Sequence, residues 1–298
     1  MEIIAGSSNL VLAQQIAKAT GAKMLNTKID NFADGELKIQ VLDSIGQDIM
    51  IVQSTSPPVN NHLMELLLLA DTAKRAGAKN ITTIIPYFGY SRQDRCVYKY
   101  GPISASLVVK LFETSGITEV ITLDLHSAQL EGLFNIKITN IDPASLFYAA
   151  FEQENLNKNS DNLVVVSPDI GGIPRARNFS NLVGSQLAII NKSRDNNNIC
   201  HMDEIIGNVE GKKCILVDDI VDSANTLCLA TKLLADNGAE MIIAFVTHAV
   251  LSANAVEKIQ RSNLDKIYVS DSILQQNLPN KFHILPTAKL IKTVKMSI

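Results

Sequence analysis

Short runs of β-branched and apolar residues alternate along the chain with longer segments in which apolar residues recur at helical spacing. Each short run predicts a buried strand, and each periodic segment predicts a helix. Eight strands are predicted in this way, at residues 2–4, 49–53, 81–85, 120–123, 163–166, 186–190, 214–217 and 241–246. Repeated alternation of strand and helix indicates parallel sheets that are covered by helices on both faces.

A weak internal repeat indicates two similar α/β domains. Residues 4–24 and 166–190 both follow the order strand, polar loop, helix, glycine, strand. Residues 80–95 and 213–226 both contain an apolar strand followed by a polar loop and the start of a helix, which suggests a second pair of equivalent segments. We expect an N-terminal domain at residues 1–142, completed by residues 283–298, and a C-terminal domain at residues 143–282.

Composition narrows the classes of function. With 46% hydrophobic residues the chain can bury a substantial core, and its net charge of −3 provides no general attraction to nucleic acid. The first residues resemble no secretory signal, and the longest apolar block is too short to span a bilayer. Four scattered cysteines show no zinc-binding spacing. We therefore expect a cytoplasmic protein that binds neither nucleic acid nor membrane.

The segment KKCILVDDIVDSANTL, residues 212–227, combines features of an anion site with three carboxylates. Ligands of open α/β sheets bind beyond the carboxyl ends of strands, where helix N-termini also point. Small residues after Asp222 let backbone N–H groups approach a phosphate, whereas Asp218 and Asp219 suit sugar hydroxyls or a divalent cation. The segment therefore predicts a site for a sugar phosphate.

This segment resembles the ribose-phosphate loop of type I phosphoribosyltransferases and of ribose-phosphate diphosphokinases, the synthases of 5-phosphoribosyl 1-diphosphate. Five further segments resemble the diphosphokinases: NFADGELKIQ (31–40), PYFGYSRQDR (86–95), TLDLHSAQLEGLF (122–134), VVVSPDIGGIPRARNFS (164–180) and AIINKSRD (188–195). The resemblance covers nearly the whole chain. It implies two tandem type I phosphoribosyltransferase-like domains, each a mainly parallel sheet flanked by helices.

The resemblance also implies a role for each matched residue. The ATP-binding residues are Phe32, Asp34, Gly35, Glu36, Arg92, Gln93, Asp94, Arg95 and His126. The residues that bind ribose 5-phosphate are Arg194, Asp218, Asp219, Asp222, Ser223, Ala224, Asn225 and Thr226. By the same resemblance His126 and Asp169 contact Mg²⁺, and Lys192 and Arg194 are catalytic.

The implied reaction transfers the diphosphoryl group of Mg-ATP to the 1-hydroxyl of ribose 5-phosphate, which yields 5-phosphoribosyl 1-diphosphate and AMP for nucleotide biosynthesis. The implied assembly is a homo-oligomer built from dimers, in which a neighbouring subunit supplies residues 34–36 to the ATP site. Two alternatives are a base phosphoribosyltransferase, which should not need the RQDR segment, and a non-catalytic subunit associated with the synthase, which tends to lose the catalytic residues.

The chain departs from the family pattern at several positions. Ile170 stands where histidine is common, Pro174 where threonine is frequent, and Asn225 where the phosphate loop usually has glycine. A Cβ atom at Asn225 could crowd the phosphate, and asparagine is the non-glycine residue that best tolerates positive φ. Residues 96–102 lack the family's basic, serine-containing run, and residues 44–48 lack its usual arginine. These last departures argue against allosteric control by phosphate or ADP.

Overall fold

The computed structural model describes residues 1–154, 156, 160–194 and 200–296. The chain divides into two compact units. The first contains Met1–Asp142, Ser272–Leu274 and the residues from Thr287 onward, and the second contains Pro143–Asp271 and Gln275–Pro286. Among the described residues, no helix is long and apolar enough to cross a membrane.

The first unit contains a six-stranded parallel sheet and a separate two-stranded hairpin. Its strands are β1 (Glu2–Ala5), β2 (Lys23–Met24), β3 (Thr27–Asn31), β4 (Leu37–Val41), β5 (Asp48–Val52), β6 (Asn80–Ile85), β7 (Glu119–Leu123) and β8 (Lys137–Ile141). Its helices are α1 (Leu10–Thr20), α2 (Val59–Arg75), α3 (Ser104–Ser115) and the C-terminal α8 (Ala288–Met296), with a 3₁₀ segment at Ala128–Leu133. The sheet order is β2-β1-β5-β6-β7-β8, and β3 pairs with β4 in the hairpin.

Alternation along the strands divides the core of this unit into two layers. Ile3 of β1 packs in one cluster with Ile16 of α1 and Ile291 of α8. Its neighbour Ile4 packs in the other cluster, with residues of α2 and α3 that include Phe112. Because successive strand residues point to opposite faces, a strand that is apolar throughout is buried on both sides.

The second unit contains a seven-stranded sheet in which only the edge strand β11 is antiparallel among the described pairings. Its strands are β9 (Leu163–Ser167), β10 (Gln186–Arg194), β11 (Cys200–Ile206), β12 (Lys213–Val221), β13 (Met241–Ala249), β14 (Lys266–Ser270) and β15 (Phe282–Leu285). Its helices are α4 (Ala144–Gln153), α5 (Ile173–Val183), α6 (Asn225–Asp236) and α7 (Ala255–Arg261). The order is β11-β10-β9-β12-β13-β14-β15.

The two sheets correspond strand by strand. The sheet of the first unit has the order β2-β1-β5-β6-β7-β8, and it matches the part β10-β9-β12-β13-β14-β15 of the second sheet. Strand β1 therefore corresponds to β9, and β5 to β12. The repeat of residues 4–24 and 166–190 agrees with this correspondence. The suggested pairing of residues 80–95 with 213–226 is wrong, because β6 corresponds to β13.

Two boundaries predicted from the sequence need correction. Residues 283–286 remain in the second unit, because β15 pairs with β14 along its whole length, and the chain returns to the first unit at Thr287. The strand predicted at residues 214–217 continues to Val221, since β12 pairs with β13 up to that residue. All eight predicted strands are present. The described residues contain seven further strands that were not predicted, among them the two-residue β2 and the partly exposed β3 and β4.

A buried polar network lies beyond the carboxyl ends of β1 and β5. The carboxylate of Glu65, 2% exposed on α2, accepts bonds from the Ser7 N–H and the Ser7 hydroxyl, both over 2.6 Å, and from Gln53 Nε2 over 3.0 Å. Gln53 Oε1 in turn accepts the Ser8 N–H over 3.1 Å. A Cβ atom at Gly6 would lie 2.2 Å from Gln53 Oε1, so only glycine fits there.

Replacement of Glu65 by leucine should destabilise the protein. The change leaves both donors of Ser7 and the Gln53 amide without the carboxylate, at roughly 1–3 kcal/mol for each buried group left unpaired. Denaturant unfolding monitored by circular dichroism measures the loss. Glu257→Leu is the matched control, since Glu257 is exposed and pairs with Arg261 one turn away. Equal stability of the two variants would contradict the role of the network.

Candidate active site

Three carboxylates meet at the carboxyl edge of the second sheet. Asp218 and Asp219 belong to β12, and Asp169 follows the adjacent β9. Asp219 is 6% exposed, and its Oδ1 lies 3.7 Å from Nη1 of Arg175 on α5. The Asp219 N–H donates to Asp218 Oδ1 over 2.9 Å. Contrary to the sequence-based prediction, the two adjacent aspartates lie within the strand and not after it.

The cluster has an excess of negative charge. Burial raises the pKa of Asp218 well above its ordinary value, and the Asp219 carboxyl raises it further by its charge and by a hydrogen bond. Arg175 opposes the shift, and the more distant charge of Asp169 adds to it. A cation or hydrogen-bond donors of a ligand would relieve this repulsion, because each favours the ionised carboxylates.

The loop that follows β12 presents backbone N–H groups on one side. The carbonyls of Val221, Asp222 and Ser223 accept bonds from Val250 and Leu251, from Ser252 and from Lys258, respectively. In a trans peptide the N–H points away from the carbonyl. The N–H groups of residues 222–224 therefore face away from the segment 250–258.

These N–H groups lead directly into the N-terminus of α6. Within the described part of the chain, the N–H groups of Ser223 and Ala224 have no hydrogen-bond partner. Ala224, the N-cap residue, has φ of 62° and makes no side-chain cap bond. A left-handed residue next to a helical one forms a concave arrangement of N–H groups that binds anions. The loop therefore has the geometry of a phosphate site.

The structure places the positive φ of this loop at Ala224. Asn225, where the sequence comparison suggested that conformation, is the first residue of α6 and is exposed. An alanine in the left-handed region carries a strain of about 1–2 kcal/mol. Thr226 follows in the first turn and is partly buried.

The loop after β9 shapes the position of Asp169. Asp169 Oδ1 accepts the Gly172 N–H over 2.9 Å, and its backbone carbonyl accepts the Ser167 hydroxyl over 2.7 Å. Pro174 lies in the first turn of α5, where the missing N–H has no helical partner to lose, so this departure fits the fold. Ile170 is 64% exposed.

Lys192 and Arg194 belong to the last part of β10, where the chain pairs with β11 in antiparallel register. Their backbone continues the strand predicted at residues 186–190, which extends to Arg194. A register shift between Asn191 and Lys192 interrupts the ladder immediately before them. Their side chains lie outside the described part of the structure.

The RQDR segment of the first unit follows β6. Gln93 Oε1 accepts the Ser104 hydroxyl over 2.6 Å, and its carbonyl accepts the Ala105 N–H over 3.2 Å, which ties the segment to the start of α3. Asp94 Oδ2 accepts the Ser127 hydroxyl over 2.7 Å. Arg92 and Arg95 are exposed. The segment thus presents two guanidinium groups on an anchored loop.

Ser127 belongs to the loop that contains His126. Strand β7 ends at Leu123, and the next residue, Asp124, is buried with φ of 41°. The left-handed backbone at Asp124 therefore ends the extended strand before His126. The hydrogen bond between Asp94 and Ser127 nevertheless connects the RQDR segment to the loop of the exposed His126.

The remaining predicted ATP residues lie at the tip of the hairpin β3–β4. The Phe32 N–H donates to the Glu36 carbonyl over 2.8 Å, and the Glu36 N–H donates to Asp34 Oδ1 over 3.1 Å. Gly35 has φ of 95°, a conformation for which glycine is the natural choice. Phe32 is 51% exposed, with Lys38 Nζ 5.6 Å from its ring centre. An exposed ring on a closed turn can stack on a planar ligand.

Two family models together match most of the chain. The N-terminal domain of ribose phosphate pyrophosphokinase matches residues 1–116, and the phosphoribosyl transferase domain matches residues 139–283. The chain belongs to the ribose-phosphate pyrophosphokinase family. This confirms the prediction of two tandem phosphoribosyltransferase-like domains, each with a mainly parallel sheet.

Individual family members are similar over the whole chain. The ribose-phosphate pyrophosphokinase of Bacillus cereus is 44% identical over 294 residues, which cover 98% of this chain and 92% of that relative. The ribose-phosphate pyrophosphokinase of Thermosipho africanus is 43% identical over 292 residues, with the same two shares covered. Phosphoribosylpyrophosphate synthetase from Mycobacterium smegmatis, known from a crystal structure, matches with a TM-score of 0.91 at 31% identity, covering 99% of this chain and 97% of that one.

Arg175 and Lys258 contact this family's ribose-phosphate segment and were not predicted as site residues. Arg175 belongs to the quoted segment 164–180, so its position after Asp169 was a usable signal. Lys258 lies on α7 and is separated from Ser223 by 35 residues. No local pattern connects them, because the contact arises from the packing of the unit.

The charge excess predicts how Asp218→Asn changes stability. A raised pKa means that the folded state binds the proton more tightly than the unfolded state. Stability is therefore lost as pH rises from the unfolded pKa, near 4, through the folded one. At pH 7.5 Asp218→Asn should increase the free energy of unfolding by about 0.5–2 kcal/mol, as for other stabilising substitutions.

The gain should shrink as the pH is lowered through the raised pKa of Asp218 towards 4, because the folded wild-type carboxyl takes up its proton over that range. Urea titrations across this pH range measure the difference in free energy of unfolding between variant and wild type. They are run without substrates or divalent metal. Asp236→Asn is the control, because Asp236 is exposed and pairs with Lys232 on the surface of the same helix. A loss of stability at pH 7.5 in Asp218→Asn would refute the charge excess.

Proposed function

We propose that this chain catalyses transfer of the diphosphoryl group of ATP to the 1-hydroxyl of ribose 5-phosphate. The hydroxyl oxygen bonds to the β-phosphorus, the bond from that phosphorus to the bridging oxygen of the α-phosphate breaks, and AMP departs. The hydroxyl proton passes to solvent. The observation that carries the proposal is the segment at residues 218–226, in a chain that belongs to this family. Its carboxylates lie immediately before N–H groups at a helix N-terminus that have no partner among the described residues.

The second unit would bind ribose 5-phosphate. The N–H groups of residues 223–224 and the hydroxyls of Ser223 and Thr226 suit the 5-phosphate, with the positive end of the α6 dipole adding to the attraction. Asp218 and Asp219 suit the ring hydroxyls, because ionised carboxylates accept hydrogen bonds. Asp222 lies between the carboxylates that suit the ring hydroxyls and the N–H groups that suit the phosphate.

The first unit would bind ATP. Arg92 and Arg95 offer planar, always charged donors for phosphate oxygens, and Gln93 and Asp94 hold the loop that carries them. His126 adds a contact to the phosphates and their metal. Phe32 stacks on the base, and Asp34 and Glu36 accept from its amino group or from the ribose hydroxyls.

Magnesium is the cation that the donor chemistry fits. Asp169 and the adjacent excess of carboxylate charge offer hard oxygen ligands, and His126 is the second residue that we assign to metal contact. Within the described residues no group of three or more His, Cys, Asp or Glu side chains is arranged to hold a metal. Substrate phosphates would complete the shell, as is usual for this ion. Magnesium supplies neutralisation of phosphate charge during the transfer.

Phosphoryl-type transfer needs positioning and charge stabilisation more than covalent participation. We assign charge stabilisation to Lys192 and Arg194, which balance the charge on the transferred group and on departing AMP. Incubation of the purified protein with Mg-ATP and ribose 5-phosphate tests the reaction, and chromatography should detect AMP and 5-phosphoribosyl 1-diphosphate in equal amounts.

The same assay separates the alternatives. A base phosphoribosyltransferase would form no AMP but would release diphosphate from 5-phosphoribosyl 1-diphosphate when a nucleobase is added. A non-catalytic subunit would give neither product. AMP formation that needs ribose 5-phosphate excludes both, whereas absence of AMP across a range of metal and phosphate concentrations would refute the proposed reaction.

Lys192→Ala should lower kcat by about a hundredfold or more, because the loss of one charge-stabilising donor raises the barrier by roughly 3–4 kcal/mol. Binding of ribose 5-phosphate, measured by calorimetry, should survive, since we assign Lys192 to the transferred group. Lys110→Ala removes an exposed lysine of α3 and serves as the control. A near wild-type rate in Lys192→Ala would defeat this assignment.

We also propose that a neighbouring subunit supplies the hairpin tip to each ATP site. The tip is exposed in the single chain, and Phe32 is half accessible there. Phe32→Ala combined with Glu36→Ala should then be inactive alone, as should Lys192→Ala. A random mixture of the two variants should recover about a quarter of the wild-type rate, because half of the dimers are mixed and each mixed dimer has one of its two sites intact. Isolated mixed dimers should therefore recover about half of that rate.

Co-expression with two different affinity tags allows the mixed oligomers to be isolated and assayed. The control mixes each inactive variant with itself under the same conditions. Absence of any recovery in isolated mixed oligomers would show that hairpin and Lys192 act within one chain.

A further inference from the structure

Lys258 on α7 contacts the ribose-phosphate loop at two points. Its Nζ donates to the Asn225 side-chain oxygen over 2.7 Å and to the Ser223 backbone carbonyl over 3.2 Å. Lys258 itself is partly buried, whereas Asn225 is exposed. One ammonium group therefore holds a backbone group and a side chain of the loop simultaneously, and both contacts are charge-assisted.

The backbone contact completes the orientation of the loop. The carbonyls of Val221 and Asp222 are held by backbone N–H groups of residues 250–252. Lys258 holds the next carbonyl, that of Ser223, by a side chain. Because peptide units are trans, this bond directs the Ala224 N–H to the opposite side, where the neighbouring N–H groups point. Loss of the ammonium would release this peptide alone.

The side-chain contact accounts for Asn225 at a position where the family loop usually has glycine. A side chain at this position could crowd a phosphate bound by the N–H groups. Lys258 draws the Asn225 amide oxygen to the side of the segment 250–258, which is opposite to those N–H groups. The pair thereby leaves the anion side of the loop open.

The charge of Lys258 also offsets the local excess of carboxylates. Three carboxylates precede the N–H groups of residues 223–224, and their repulsion disfavours a dianionic phosphate. They belong to Asp218, Asp219 and Asp222. Lys258 is close enough to α6 to act electrostatically on the Cys228 thiol, one turn after Asn225. Because the Lys258 ammonium is partly buried, salt screens its charge less than it screens a surface charge.

We propose that Lys258 is a positioning residue for ribose 5-phosphate and that it acts through the Ser223 peptide and the Asn225 side chain. The inference rests on the proposed function, since it concerns the same loop. Lys258 does not touch the substrate in this proposal. Its role is to fix the N–H groups that contact the phosphate and to keep the Asn225 side chain away from those groups.

Lys258→Met tests the proposal, because methionine keeps much of the length and removes the charge and the donors. We expect the KM for ribose 5-phosphate to rise roughly tenfold, the effect of losing a charge-assisted contact. The kcat and the KM for ATP should stay within about twofold, because the role ends at sugar-phosphate binding. Lys258→Arg keeps the charge and should recover most of the affinity.

The control is Lys232→Met, which removes an exposed charge of α6 that pairs with Asp236 on the same helix. It should leave the KM for ribose 5-phosphate unchanged. Thermal unfolding of each variant is measured in parallel. A purely structural role for Lys258 would lower stability without the selective rise in that KM, and this result would overturn the proposal.

A double-mutant cycle with Asn225→Ala tests the pair. We expect Asn225→Ala alone to raise the KM for ribose 5-phosphate about threefold, and the double variant to match Lys258→Met, since both changes remove one coupled arrangement. Independent effects would multiply to about thirtyfold, and that outcome would refute the pairing. Asn225 is exposed, so Asn225→Ala keeps the test possible if Lys258→Met does not fold: an unchanged KM in Asn225→Ala would then count against the pair.

Calorimetric binding of ribose 5-phosphate separates failure of this inference from failure of the proposed reaction. If the wild-type protein binds the sugar phosphate but forms no AMP, the reaction is refuted, and the weaker binding expected in Lys258→Met still supports the positioning role. Equal binding by wild type and Lys258→Met would overturn that role whatever the outcome of the assay.

Discussion

Repulsion among Asp169, Asp218 and Asp219 is the constraint on which the site of the second unit depends. Parallel strands end at one edge, so side chains that follow β9 and those of the extended β12 are brought together there. Arg175 approaches Asp219 only to 3.7 Å and leaves the cluster with net negative charge. The energy stored in this repulsion becomes available to a cation or to ligand hydroxyls, which bind more tightly for that reason.

At the corresponding edge of the first sheet, hydrogen-bond donors are paired with a buried carboxylate. There, β1 and β5 end in Ser7 and Gln53, whose donors are used by the buried carboxylate of Glu65. The Glu65 carboxylate thus accepts the hydrogen bonds that a bound anion could otherwise accept. Two sheets of the same strand order thus differ at this edge, and the difference supports the proposal that the second unit binds the sugar phosphate.

Much of this arrangement could be predicted because it is local. The order of apolar residues, Asp218, Asp219 and small residues is a property of consecutive positions, and it predicts a loop at the end of a strand, where β12 and α6 meet. The positive φ at Ala224 was misplaced, because the residue type at Asn225 suggested it more strongly than the helix boundary did. The pairing of residues 80–95 with 213–226 failed for a related reason: a strand followed by a polar loop and a helix describes every unit of such a sheet, and only strand order tells them apart.

The chain order of the two units explains why the first domain cannot be delimited as one continuous stretch. In the second unit α4 precedes β9 and packs on α5, while in the first unit the corresponding contact with α1 is made by α8, from the end of the chain. Ile291 of α8 is fully buried in the same cluster as Ile3 and Ile16. The core beneath β1 is therefore complete only after the whole second unit has been synthesised. Because such a contact links residues nearly a full chain length apart, its loop-closure entropy must be offset by burial, and the core of the first unit cannot be completed before α8 is present.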